Sequence, residues 1–166
     1  REDGREWNKA DTLKAFMVAA TYADGKREVL LLGVPGDREI DMRRLEASLG
    51  ADVEMATPED MAAYPNIVPG FTGPTCAGPD HPDRKVDEDG NISGSPRCLL
   101  DPRVVEGTEW IAGAGKEDTH IYHLVAGRDF RADGFIEAAE VRDGDSAPDG
   151  SGALQTARGI EIGHIF

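Results

Sequence analysis

The sequence predicts an acidic α+β domain, on three observations. A hairpin pattern near the N-terminus supplies two long strands. Two short helical stretches follow it, one read from its apolar face and stop signal and the other from its start signal. Further β-rich runs recur after residue 96, separated by glycine and proline turns.

The hairpin is the strongest local signal. Asp11-Thr12-Leu13-Lys14-Ala15-Phe16-Met17-Val18 and Glu28-Val29-Leu30-Leu31-Leu32-Gly33-Val34 flank Asp24-Gly25, a dipeptide suited to a tight hairpin turn. Alternation puts Lys14 on one face with Thr12, Phe16 and Val18, and Leu13, Ala15 and Met17 on the other. A lysine on a half-buried strand admits two readings. It guards an edge against aggregation, or it meets an anion.

Pro35-Gly36-Asp37 turns the chain. Ile40, Leu45 and Leu49 share a helical face and Gly50 is a stop signal, so the spacing predicts a helix over 41–49. Val53-Glu54-Met55 fits a short strand. Thr57-Pro58-Glu59-Asp60 opens a second helix, with Thr57 as cap and Asp60 as the capping-box acid, ending before Pro65. Val68-Pro69-Gly70-Phe71-Thr72-Gly73-Pro74 reads as a shaped loop with exposed backbone N–H groups. Residues 75–95 are rich in Pro, Gly and Asp, which predicts a mobile excursion. Strands are expected at 97–101, 119–125 and 135–141, and 104–115 is expected to be a turn or short helix leading into a glycine-rich loop. Residues 143–156 have linker composition, and 157–166 read as a separate strand.

Composition limits the function classes. A net charge of -14 repels a nucleic-acid backbone at long range, so any such contact is local or supplied by another domain. Cys76 and Cys98 are too few for a disulfide scaffold and fit a reducing cytoplasm. The first residue is Arg, which reads as part of something longer. No run is long enough for a membrane span.

The chemical motifs are sparse. His120 and His123 lie three apart on an expected strand and should face opposite ways, which argues against a shared metal. Asp87-Glu88-Asp89-Gly90-Asn91 lacks the ligand spacing of a calcium loop and reads better as a solvated turn. No nucleophile elbow, activated cysteine or nucleotide-binding glycine loop is present. What remains is Lys14, the 68–74 loop and a strand bearing His120.

The passage Gly144-Asp145-Ser146-Ala147-Pro148-Asp149-Gly150-Ser151-Gly152, with Ala157-Arg158-Gly159-Ile160-Glu161-Ile162-Gly163-His164-Ile165-Phe166 after it, resembles the point where bacterial-type prolyl-tRNA synthetases leave their editing insertion. Asp11-Thr12-Leu13-Lys14, Val34-Pro35-Gly36-Asp37-Arg38-Glu39, Asp101-Pro102-Arg103-Val104-Val105-Glu106-Gly107-Thr108 and Leu124-Val125-Ala126-Gly127-Arg128-Asp129-Phe130 look most like actinobacterial versions. The resemblance covers nearly the whole chain except 75–95. It implies a YbaK-like editing domain over 1–142, a linker over 143–156 and a strand re-entering the synthetase at 157–166. It also implies a fold, a mixed, strongly curved, barrel-like sheet flanked by short helices.

The implied activity is hydrolysis of alanine mischarged onto the proline tRNA, with a free ribose hydroxyl assisting the attacking water. Lys14 matches the family's functional lysine. Gly70-Phe71-Thr72-Gly73-Pro74 matches its substrate-binding loop, and His120 a histidine of the alanine pocket. Glu109 falls where some relatives carry aspartate, and Gly113 begins a Gly-Ala-Gly loop where many relatives have Asn third. Both would bind substrate. His120 also fits a half-buried strand histidine with no such role. Pocket-lining residues that the family carries further upstream are absent from this sequence.

The implied partners are the acceptor end of the alanylated tRNA and the catalytic and anticodon-binding domains of a cytoplasmic, homodimeric parent. No cofactor or metal is expected for editing, since ATP and magnesium serve only the parent's synthetic site. A free-standing deacylase and an inactive insertion that braces the synthetase or tRNA are the alternatives.

Overall fold

In a computed structural model, which describes residues 4, 6–147 and 149–159, Asp24-Gly25 folds the chain back on itself as the sequence predicts. Gly25 takes φ 83°, a conformation that glycine adopts without steric cost. Strand β1 (Leu13–Tyr22) thereby pairs antiparallel with β2 (Arg27–Pro35), with Lys14 opposite Val34. The Gly36 N–H donates to the Thr12 carbonyl at 2.7 Å. In an antiparallel ladder, the even residues of β1 therefore turn their backbone groups to β2 and the odd ones turn theirs away.

Helix α1 (Met42–Leu49) ends at the predicted stop and opens on a cap that the sequence reading did not name. The Asp41 side chain accepts from the Arg44 N–H at 3.1 Å, and Gly50 closes the helix in the left-handed region. Strand β3 (Ala51–Met55) then returns along the outer edge of β1, but pairs only with residues 18–22. Helix α2 (Pro58–Ala62) begins with the reciprocal Thr57–Asp60 capping box. After the 63–73 loop come two short ribbon strands, β4 (Lys85–Val86) and β5 (Ile92–Ser93). Strand β6 (Arg97–Leu100) joins the far side of β2 in parallel, and β9 (Gly134–Phe135) joins β6. The sheet order is β3-β1-β2-β6-β9. Strands β7 (Glu109–Gly113) and β8 (His120–Val125) form a separate antiparallel pair, linked to β1 by a parallel bridge between Thr12 and Ile111.

Both faces of the main sheet are covered. Val18, Leu30, Leu32 and Val34 pack with Leu45 of α1 and with Ile136, Ala138 and Ala139. Leu13, Met17, Leu31, Cys98 and Leu100 pack on the other face with Ile67, Trp110, Ala112, Leu124 and Phe130. Leu30, Leu31, Leu32 and Leu45 are fully buried, each contributing about 1.5–3 kcal/mol by removal from water. The buried Asp101 carboxylate accepts from Arg103 N, Arg103 Nη1 and Ala139 N, and so ties β6 to the chain after β9.

Several expectations need correction. The strongly curved, barrel-like sheet is not found: among the described residues the main sheet is open, with β3 and β9 as its edges. Part of the stretch expected as a turn or helix is strand β7, because Glu109, Trp110, Ala112 and Gly113 find partners in β8 while Ile111 bridges to Thr12. The strand expected at 135–141 shrinks to β9 plus one bridge between Ile40 and Ala139, since Asp101 takes the Ala139 N–H. The 75–95 segment carries a 3-10 turn and the β4–β5 ribbon. It is pinned by Arg84, whose guanidinium donates to both Asp133 oxygens at 2.9 and 2.6 Å. Asp87 accepts from Asp89 N, Asn91 N and Asn91 Nδ2, so its carboxylate is spent closing the ribbon turn. Cys76 and Cys98 are free and buried, and burial pushes the Cys98 thiol up to about 12. Most of the 157–166 stretch lies outside the described residues. Among the described residues no helix is long and apolar enough to cross a membrane.

Candidate active site

Because β3 covers only the far half of β1, one strand edge is left open around Ala15, between the Ala56–Met17 contact and the Thr12–Ile111 bridge. A cavity of about 480 Å³ lies along that edge. Met17, Met55, Ala56, Met61, Ile67, Pro69, Gly70, Thr72, Ile111, Ala112, Gly113 and His120 line it. Thr12, Leu13, Lys14, Ala15 and Phe16 complete the wall.

Lys14 therefore shares a cavity with Gly70, Thr72, Gly113 and His120. Its stem leaves β1 on the face opposite Leu13 and Met17, as alternation predicts. The ammonium lies 5.8 Å from the centre of the Phe16 ring and donates to Glu39 Oε1 at 2.8 Å. That contact holds the Glu39 carboxyl below its ordinary range. Glu39, an exposed residue between β2 and α1, is a partner that the sequence did not announce.

The glycine loop divides in two. Gly70 adopts φ 83° with open space around its α-carbon, so it is the position where another molecule can approach the backbone. Gly73 and Gly113 instead approach each other. A Cβ on Gly73 would collide with the Gly113 carbonyl, and one on Gly113 with the Phe71 carbonyl. The Gly73 N–H points to Cys76 Sγ at 3.5 Å, and the Phe71 carbonyl accepts from Gly115 N at 2.8 Å. These glycines fasten the loop to β7. Gly73 and Pro74 are buried, and neither they nor Phe71 line the cavity. The Phe71 ring meets His120 edge-on, 6.0 Å between centres, and so orients the imidazole at the rim.

Glu109 does not line the cavity. It pairs with His123 Nδ1 across the β7–β8 ribbon, where a register shift and His123 at φ 57° mark a bulge. His123 also meets the Trp7 ring at 5.5 Å, so the two strand histidines serve different surroundings. Among the described residues no three His, Cys, Asp or Glu side chains gather as a metal site would need.

Among the described residues the cavity wall carries neither carboxylate nor thiol. Its two hydroxyls are committed: Thr12 Oγ1 donates to Lys9 O and Thr72 Oγ1 to Val68 O, each at 2.8 Å. Such a wall can bind and orient an ester, but offers no activated nucleophile.

Residues 3–130 match the aminoacyl-tRNA editing domain family. The chain belongs to that family. Among curated relatives, a proline–tRNA ligase of Clavibacter sepedonicus is 51% identical over 172 residues, covering 100% of this chain and 27% of its own. Those of Cutibacterium acnes and Nocardia farcinica are 53% and 52% identical over 163 and 164 residues, each spanning 98% of this chain. The Cutibacterium protein is covered over 26% of its length. This editing domain thus spans about a quarter of the ligases it matches. The cavity falls inside the matched stretch, since every lining residue lies between Thr12 and His120.

Proposed function

We propose that this domain hydrolyses the ester of alanine mischarged onto the proline tRNA, acting within a prolyl-tRNA synthetase. The observation that carries the reading is the grouping of Lys14, Gly70, Thr72 and His120 around one cavity whose wall has no nucleophile of its own.

The terminal adenosine and its aminoacyl group enter along the open edge of β1. Lys14 exchanges Glu39 for the phosphate at the acceptor end, a task for a flexible point charge. Backbone N–H groups at Gly70 and Thr72 hold the ribose, while His120 borders the amino-acid pocket. A water oxygen bonds to the ester carbonyl carbon, and the carbon–oxygen bond to the ribose breaks. The free neighbouring ribose hydroxyl takes the water's proton, and a proton passes to the departing ribose oxygen. Free alanine and intact tRNA result.

A cavity of about 480 Å³ far exceeds an alanine side chain, so its total size does not exclude proline. In this reading selectivity is steric and belongs to the apolar side chains of the wall, among them Met17, Met61, Ile67 and Ala112, with His120 at their border, which would accept a methyl group and reject a pyrrolidine ring. The -14 charge is compatible with this role because only the acceptor end enters and the parent's catalytic and anticodon-binding domains supply the main grip. The parent is a cytoplasmic homodimer in this reading. ATP and magnesium act only at its synthetic site.

The test is release of alanine from alanylated proline tRNA by the 166-residue chain, with the prolylated tRNA as comparison. Hydrolysis of the first with sparing of the second is expected. Equal background loss of both would remove the reading.

A further inference from the structure

The edge of β1 inside the cavity has an unused pair of backbone groups. The odd residues of β1 turn their N–H and C=O away from β2. At the far end these groups meet β3, with Ala19 opposite Glu54 and Thr21 opposite Asp52. The last contact on that side is the Ala56 N–H donating to the Met17 carbonyl at 3.0 Å. At the near end the Thr12–Ile111 bridge takes over. Ala15 lies between the two. No strand stands opposite its outer edge, and among the described residues neither its N–H nor its C=O has a backbone or side-chain partner on that side. Ala15 is half-buried and lines the cavity.

An α-aminoacyl ester carries the matching groups. Its ammonium and its carbonyl oxygen are spaced as the N–H and C=O of one extended residue. Resting on the functional reading above, we infer that the aminoacyl group binds as a one-residue strand against the open edge of β1. The Ala15 carbonyl accepts from the α-ammonium and the Ala15 N–H donates to the ester carbonyl. The second bond strengthens as that oxygen gains charge, so Ala15 is a positioning residue that also stabilises the tetrahedral intermediate. The prolyl ammonium keeps two N–H groups, so this pairing recognises the aminoacyl class, and discrimination is left to the apolar wall.

Two measurements test the inference. The first uses hydrogen exchange at single amides with an inert analogue, alanine joined to 3′-amino-3′-deoxyadenosine through an amide. In the free protein the Ala15 amide exchanges far faster than those of Lys14 and Phe16, whose backbones pair with β2. Saturating analogue slows it about tenfold or more, as ladder protection does. The second is Ala15→Pro, which removes the one N–H at an edge position that tolerates proline. Alanyl-tRNA hydrolysis should fall about a hundredfold in kcat/KM, the effect of losing one oxyanion donor, with an unchanged melting temperature. An Ala15 amide unprotected while the analogue perturbs Gly70 and His120 overturns the inference and leaves the functional reading standing. A folded Ala15→Pro variant of wild-type rate does the same. Absence of both hydrolysis and analogue binding in the wild type overturns the functional reading and this inference with it.

Discussion

The Lys14 ammonium is held by Glu39 at 2.8 Å, across the turn that follows β2. The lysine is 28% exposed and the glutamate 63%, so the pair is accessible to a competing anion. An exposed ion pair of this kind is weak, whereas a phosphate offers Lys14 more oxygens and more charge. In the proposed reading Glu39 is the resting partner that substrate phosphate displaces from Lys14.

Replacement of Lys14 by alanine should abolish editing without unfolding the domain. The side chain is half-buried, its ammonium lies over the Phe16 ring and it belongs to neither core cluster, so the core loses little. The expected loss in kcat/KM is about a hundredfold or more, the scale of one charged contact made in the transition state. Circular dichroism and a thermal melt beside the deacylation assay check this. An unfolded variant or an undiminished rate contradicts it.

Glu39→Gln should act in the opposite direction. It releases the ammonium, so KM for alanyl-tRNA should fall by about two- to fivefold while kcat stays constant. The gain should shrink as salt is raised, because both partners are solvent-accessible. A KM unaltered at low salt would mean that Glu39 does not compete with substrate.

Gly73→Ala and Gly113→Ala test how the loop is fastened. Each added methyl collides with a carbonyl of the facing segment, and backbone cannot yield as a side-chain tip can. Overpacking of this sort costs about 1–3 kcal/mol. Both variants should melt earlier and lose editing together, whereas Gly70→Ala meets open space and is penalised only by its positive φ. Thermal melts of the three proteins separate loop packing from ligand approach.

Acid should weaken the fold through Asp145. Its carboxylate accepts from Arg38 at 2.7 Å twice, from Arg103 at 2.8 Å and from Arg142 N at 2.9 Å. The Arg38 hydrogen bonds foremost hold its carboxyl well below the usual carboxylate range. A lowered folded pKa means that the unfolded chain binds the proton first. The contribution is complete above the unfolded value near 4 and is lost as pH falls through the folded one. Asp145→Asn should cost about 1–3 kcal/mol at pH 7 and flatten the decline below pH 4. Urea titrations across pH 3–7 measure both.

What the sequence disclosed was mostly local. The Asp24-Gly25 hairpin, the Thr57 cap and the Gly50 stop depend on neighbours within a few residues, and the structure has each of them; the Asp41 cap is equally local but is not part of the sequence reading. Strand β7 escaped notice because Trp110-Ile111-Ala112 is short and runs into glycines, and its partner β8 pairs through a bulge. The 135–141 run looked like a long strand, yet Asp101, nearly forty residues earlier, claims the Ala139 N–H. Lys14, Gly70, Thr72, Gly113 and His120, all legible as candidates in the sequence, line one cavity. Gly73 belongs to the same sequence motif but is buried against the Gly113 carbonyl and does not line the cavity. The open edge at Ala15 depends on where β3 stops, and no local pattern encodes that.

The proton acceptor can be assigned by altering the substrate. Among the described residues, Lys14 and His120 are the only titratable side chains on the cavity wall, and the Lys14 amine is engaged as a donor to Glu39. If the substrate's free ribose hydroxyl takes the water's proton, then alanyl-tRNA lacking that hydroxyl should resist hydrolysis by about a hundredfold or more. His120→Ala should meanwhile keep most of the rate on the natural ester, because the imidazole borders the pocket and does not move the proton. Its loss, with Phe71 left unsupported, should widen the rim and let the prolyl ester be cleaved as well. Parallel rates for alanyl, prolyl and deoxy-terminated esters, with and without His120, decide the matter. A deoxy ester cleaved normally by the wild type and no longer by His120→Ala would make the histidine the base.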